Sequence, residues 1–203
     1  MTIARLTRAE RREQTRDDLI VAADRLFTRG GFHATSLDQI AAAAGYTKGA
    51  VYSNFDSKED LFFAVYERRA KANEAQIREL FKGDPGAGLD RISFDTTGRR
   101  NRDDGWLAVF FEFWAHVIRH PELRGRFAEI HRRLQAPIAE ALEQLAAEAG
   151  AELPDAPMAL AVASGAMQIG LALERLTQPD VVDDAIGLRM SRLWQETIPR
   201  RKR

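Results

Sequence analysis

The sequence predicts an all-α chain. Apolar residues recur at three- and four-residue spacing along nearly its whole length, and no segment alternates with period two. Capping boxes and glycine stops also punctuate the helical pattern. At 203 residues, the chain is long enough to bury a core unaided. We expect nine or ten helices in two parts, a three-helix helix-turn-helix domain over residues 1–56 and a helical bundle over 57–203. Cysteine is absent, so neither disulfides nor thiolate metal sites contribute. The first residues carry charge with no apolar run, which points to a cytoplasmic protein.

The elements follow in order. Thr7-Arg8-Ala9-Glu10 has capping-box form and opens a helix reaching Arg29, with Leu19, Ala23, Leu26 and Phe27 inward, stopped by Gly30-Gly31. Ser36-Leu37-Asp38-Gln39 is a second capping box, for a short helix with Leu37, Ile40, Ala41 and Ala44 inward, broken at Gly45. Thr47 is placed to cap a third helix, with Val51 and Phe55 inward. Ser57-Lys58-Glu59-Asp60 begins a long helix to about Phe81. Residues 83–105 read as irregular, with one short helix near 89–96. An aromatic helix covers 105–119, and His120-Pro121 starts another toward Gly150, with a kink or break expected near Gln135 because Pro137 lies inside it. The last two helices span about 157–177 and 181–197.

Residues 156–173 carry no charge, yet they consist largely of alanine and glycine and are closed off by Asp155 and Glu174. A helix buried on several sides of a bundle is predicted there, not a membrane span.

Charge adds little. The chain holds 30 basic and 30 acidic residues, so a nucleic-acid partner must be argued from pattern. Two short capped helices about a glycine turn form a helix-turn-helix, whose second helix enters the major groove. With Val51 and Phe55 inward, Gly49, Tyr52 and Ser53 fall on the outer side. Gly49 lets the backbone approach base edges, Tyr52 offers a hydroxyl and a ring edge, and Lys48 and Lys58 are phosphate candidates.

The run Gly31-Phe32-His33-Ala34-Thr35-Ser36-Leu37-Asp38-Gln39-Ile40-Ala41, continued by Ala44-Gly45-Tyr46-Thr47-Lys48-Gly49-Ala50-Val51-Tyr52-Ser53-Asn54-Phe55-Asp56-Ser57-Lys58-Glu59-Asp60-Leu61, closely resembles the N-terminal domain of TetR-family regulators. The resemblance covers about the first 65 residues. It implies that Ser36, Thr47, Lys48, Tyr52 and Lys58 meet the DNA backbone, with Gly49, Ser53 and Asn54 near the bases. It also implies a homodimer and a small-molecule effector. Tyr46, Asn54 and Asp56 depart from the family's usual small aliphatic, histidine or tyrosine, and proline.

In the remainder, the aromatic helix is apolar on most sides. Trp106, Phe110, Phe111, Phe113 and Trp114, with Phe127, His131, Leu134, Met167 and Leu171, are expected to line an effector pocket. Met158, Val162, Gly165, Ile169 and Leu176, with Ile186, Met190, Leu193 and Trp194, are expected to form a dimer interface of four helices about a two-fold axis. Glu112, His116 and His120 sit at i, i+4 and i+8, but no further ligand completes a metal set. No nucleophile motif or phosphate loop accompanies them, so no catalytic residue, metal or cofactor is predicted. The expected function is a repressor that binds a pseudo-palindromic operator as a homodimer and is released by a mainly apolar molecule. The alternatives are a ligand-independent DNA-binding protein and a helical enzyme using Glu112 or His116.

Overall fold

The computed structural model describes residues 7–84, 86–88, 104–183 and 185–196. Among them there are eight α-helices, a further helical stretch at 86–88, one short 3₁₀ turn and no strand: α1 Arg8–Gly30, α2 Leu37–Ala44, α3 Lys48–Tyr52, α4 Lys58–Leu80, α5 Asp104–Arg119, the 3₁₀ turn Pro121–Leu123, α6 Arg124–Ala149, α7 Pro157–Thr177 and α8 Ile186–Glu196. The all-helical expectation is met. The helix expected near 89–96 and the side chain of Trp194 lie outside the described residues.

Both predicted capping boxes are present. The Thr7 hydroxyl accepts from the Glu10 N–H, and that of Ser36 from the Gln39 N–H. Gly45 closes α2 in the left-handed conformation (φ 76°), which a side chain would disfavour. Three expectations need correction. Thr47 stands at the N-cap of α3 but makes no side-chain capping bond. Of the kink or break expected near Gln135, the break does not occur: α6 runs through Pro137 without ending, because burial of the ring and the flanking apolar residues outweighs one lost hydrogen bond. α8 begins at Ile186, not near 181, since Val181 and Val182 are used in a turn closed on the carbonyl of Gln178.

The chain forms two compact units, one of residues 1–69 with 105–127 and one of 70–104 with 128–203. The first has an aromatic core. Phe62 stacks on Phe113 with centroids 4.0 Å apart, and Phe32 meets both rings edge-on at 5.4 and 5.0 Å. Leu19, Ile40, Val51, Phe55 and Leu61 complete it. Half-buried ion pairs brace its helices: Arg69 with Asp24 at 2.6 Å and Arg126 with Asp60 at 2.7 Å. Gly105 starts α5 against α1 so closely that an added Cβ would lie 2.6 Å from the Thr28 carbonyl oxygen.

The second unit is built from smaller pieces. Ile138, Ala139 and Leu142 of α6 cluster with Leu160 and Ala161 of α7, flanked by Ile77, Leu80, Phe81, Leu145 and Leu153. Among the described residues α7 is the one helix long and apolar enough to cross a membrane by length and composition. Its buried side is narrow (Leu160, Ala161, Gln168 and Ala172), while Met158, Val162 and Leu173 are exposed. The prediction of burial on several sides is therefore not met within a single chain.

Candidate nucleic-acid interface

The candidate reading head is α2, the turn at Gly45 and α3. Val51 and Phe55 are fully buried, and this pins the roll of α3 about its axis. Helical geometry then turns Gly49, Tyr52 and Ser53 outward, and all three are exposed, Tyr52 at 52 %. Ser36, Thr47 and Lys48 are exposed as well, and Asn54 is half-buried. The Thr47 hydroxyl has no capping duty. That of Ser36 already accepts from Gln39 at 3.2 Å.

Lys48 pairs with Asp38 of α2 at 3.0 Å and lies 5.8 Å over the Tyr52 ring. The hydrogen bond and charge of Asp38 raise the Lys48 pKa above its ordinary value, so the ammonium stays charged on a fully solvated surface. Such an exposed pair contributes little to stability, and a phosphate can displace its carboxylate at small cost.

Arginines of α1, which were not singled out from the sequence, hold the far end of α3. Arg12 donates to the carbonyl of Ser53 at 3.2 Å and Arg16 to that of Asn54 at 2.8 Å, with the Arg16 guanidinium 4.3 Å over Phe55. Cations at a helix C-terminus stabilise its unpaired carbonyls. The sequence carries arginine at positions 5, 8, 11, 12 and 16, and spacing alone does not say which of them reach α3. Tyr46 also finds a reason: its hydroxyl donates to Asp18 at 2.8 Å, tying the turn to α1 in a way that a small aliphatic cannot. Asn54 donates back to the Ala50 carbonyl at 2.8 Å, which closes the last turn of α3.

The loop joining α1 to α2 is held from both sides of its backbone. Gly31, at φ 85°, turns the chain so that the N–H groups of Phe32 and His33 both donate to the Glu112 carboxylate at 2.8 Å. A Cβ on Gly31 would lie 2.7 Å from that carboxylate. On the other side, the Lys58 ammonium donates to the carbonyls of Phe32, His33 and Thr35 at 3.0, 3.3 and 3.2 Å. All three ammonium protons have protein acceptors, so the structure places Lys58 as a brace of this loop. Next to it, His116 faces Glu59 at 3.4 Å and stacks on His120 at 4.1 Å between centroids. Burial, reinforced by the His120 charge, pushes the His116 pKa below the usual histidine range. Glu112, His116 and His120 thus turn to different partners. Among the described residues no group of three His, Cys, Asp or Glu side chains is placed to hold a metal ion.

The proposed effector contacts are distributed as follows. In the first unit Phe110, Phe113 and Phe127 are buried among other rings, and Trp106, Phe111 and Trp114 are half-buried. In the second, His131, Leu134, Met167 and Leu171 are half-buried. Of the proposed dimer contacts, Met158, Val162 and Leu193 are exposed, and Gly165, Ile169, Leu176, Ile186 and Met190 are half-buried.

Comparison with known proteins settles the family. The profile of bacterial regulatory proteins of the tetR family matches residues 19–65, and that of the C-terminal part of BetI-type transcriptional repressors matches residues 89–196, which is more than half of the chain. The chain belongs to the TetR family. Among its relatives, the HTH-type transcriptional activator FasR of Mycolicibacterium smegmatis is 33% identical over 112 residues, covering 55% of this chain and 44% of that protein. The HTH-type transcriptional repressor NicS of Pseudomonas putida is 30% identical over 146 residues, covering 70% and 61%. The chain thus spans about half the length of the curated relatives it matches. Salmonella enterica GusR has the same fold, with a TM-score of 0.75 at 19% identity over 96% of this chain and 99% of that one.

Proposed function

We propose that this chain is a DNA-binding transcriptional regulator of the cytoplasm, a repressor that binds a pseudo-palindromic operator as a homodimer and is released by a small, mainly apolar molecule. The observation that carries the reading is the outer face of α3. Gly49, Tyr52 and Ser53 are exposed there, while Val51 and Phe55 anchor the helix from behind and Arg12 and Arg16 hold its end. A helix fixed in roll and in position, with a glycine on its outer face, suits the major groove. In this reading residues 1–56 meet DNA and residues 57–203 sense the effector and pair the subunits.

Thr47, Lys48 and Tyr52 serve as phosphate contacts, and Gly49, Ser53 and Asn54 lie next to the bases. Ser36 accepts from Gln39 and keeps its hydroxyl proton for a phosphate, whereas Lys58 acts mainly by holding the loop before α2, because its ammonium already has three acceptors. Pairing of subunits is supported by the exposed apolar residues of α7 and α8, with Val162 44 % and Leu193 54 % exposed. A second copy of the same surface covers such a patch symmetrically. An enzymatic role finds no support in Glu112, whose carboxylate is occupied by two backbone amides.

The test is selection of binding sites from random duplex DNA, followed by gel shift and a reporter assay. The selected sites should be inverted repeats, and the protein should lower transcription from them. Tyr52→Ala and Lys48→Ala should each weaken binding by about 1–3 kcal/mol while leaving the fold intact. Enrichment of no sequence, or wild-type affinity in both variants, contradicts this placement of the reading face.

A further inference from the structure

Gln168 lies in the buried stripe of α7, only 3 % exposed, and neither its amide nitrogen nor its amide oxygen has a hydrogen-bond partner. Buried polar groups in folded proteins are almost always bonded, and leaving both ends of an amide unpaired is costly. Its neighbours on the stripe are small: Ala161 and Ser164 one to two turns before it, Gly165 beside it, and Ala172 one turn after. A Cβ added at Gly165 would meet nothing within 4 Å. The amide is thus enclosed without a partner on a stripe whose neighbouring side chains are short.

The helix facing this stripe adds to the picture. α6 and α7 follow one another through a short connection, and Ile138, Ala139 and Leu142 meet Leu160 and Ala161. On α6, His131 lies about two turns before this cluster, as Gln168 lies about two turns after it on α7. Burial lowers the His131 pKa, so this imidazole is neutral at neutral pH. In the same stretch the buried Pro137 brings no N–H and deprives the carbonyl of residue 133 of its helical donor. Met167 and Leu171, half-buried on one flank of Gln168, supply apolar surface.

We propose that Gln168 is the polar anchor of a small-molecule site on the inner face of α7, which takes an apolar compound with an uncharged head that both donates and accepts hydrogen bonds, such as a primary carboxamide. The amide of Gln168 is complementary to such a head, pairing N–H with C=O in both directions. A charged head would meet no opposite charge on the stripe. Arg175, two turns further along, is already engaged. This inference rests on the reading of the chain as an effector-controlled regulator and names the chemistry of the effector.

The experiment uses the full-length protein and three probes of one length: hexanamide, hexanoate and hexylamine. The side-chain amide resonance of Gln168, assigned by its disappearance in Gln168→Met, reports contact directly. Hexanamide should shift it saturably and the two charged probes should not, and Gln168→Met should weaken hexanamide binding at least tenfold. Without any probe, Gln168→Met should melt at or above the wild-type temperature, since it removes an unpaired buried amide at nearly constant volume. A resonance unmoved by millimolar hexanamide, or a Gln168→Met variant that melts lower and binds hexanamide equally well, overturns the proposal. Protein that selects operator DNA yet ignores hexanamide refutes this site alone. Protein that binds hexanamide at Gln168 yet selects no DNA refutes the regulatory reading alone.

Discussion

The two units of this chain solve the burial problem in opposite ways. The first is held by large rings and by charged side chains that engage the backbone of one loop. Phe27, Phe32, Phe62 and Phe113 share one core, and the loop before α2 has its amides on Glu112 and its carbonyls on Lys58. The second relies on alanine, leucine and isoleucine, leaves an amide unpaired at Gln168, and exposes apolar side chains on α7 and α8. The contrast matches what each part must do. A reading head has to present fixed geometry to DNA, and the exposed apolar faces of α7 and α8 fit the proposal that a second subunit covers them.

The contrast is broken most directly by truncating a core ring. Phe113→Ala should destabilise the protein by about 3–5 kcal/mol, and Leu160→Ala, at the thinner core of the second unit, by about 2–3 kcal/mol. Chemical denaturation of both variants checks the order, and a larger loss for Leu160→Ala would show that the aromatic core is not the stronger of the two. Next comes the exposed face. Val162→Glu and Leu193→Glu should each convert a dimer to a monomer in sedimentation at micromolar concentration, with operator binding lost. Both side chains are exposed in one chain, so folding should survive.

A smaller effect tests how rigid the head is. Glu112→Gln leaves one of the two loop amides without an acceptor and the other with a neutral one, and should cost about 1–3 kcal/mol of stability. Hydrogen exchange should quicken at the amides of Phe32 and His33 while those in the middle of α1 stay protected. Unchanged protection at both amides would mean that the loop is held without the carboxylate.

The smallest effect concerns pH. The His116 and His131 pKa values are pushed down mainly by burial, so the folded state favours the neutral rings. The unfolded chain then binds more protons between the lowered pKa values and the ordinary histidine value of about 6.5. Stability should be fully present above pH 6.5 and decline as the pH falls through the folded-state values. His116→Phe and His131→Leu should each flatten that decline in urea melts taken from pH 7.5 to 5.

How much of this was legible beforehand depends on the range of the interaction concerned. Capping boxes at Thr7 and Ser36, the stop at Gly45 and the inward turn of Val51 and Phe55 are decided within four or five residues, so they could be read from spacing alone. The family, too, was carried by a contiguous run of residues. The partners of Glu112, Lys58, Arg12 and Arg16 were not legible, because each bond joins residues 23 to 80 positions apart. Glu112 read as a possible metal ligand or acid, and Lys58 as a phosphate contact, for want of the loop that folds against them.

Local sequence by itself determined that the chain is helical, where most helices start and stop, and which side of α3 faces out. Each of these follows from the 3.6-residue period and from backbone groups that must be capped within one turn. Tertiary structure alone decided which charges are spent inside the protein. It showed that Phe110, Phe113 and Phe127 pack against other rings, that a helix can run through Pro137, and that Gln168 is buried without a partner. Burial and hydrogen-bond completion depend on which distant segments meet, and helical periodicity carries no information about that.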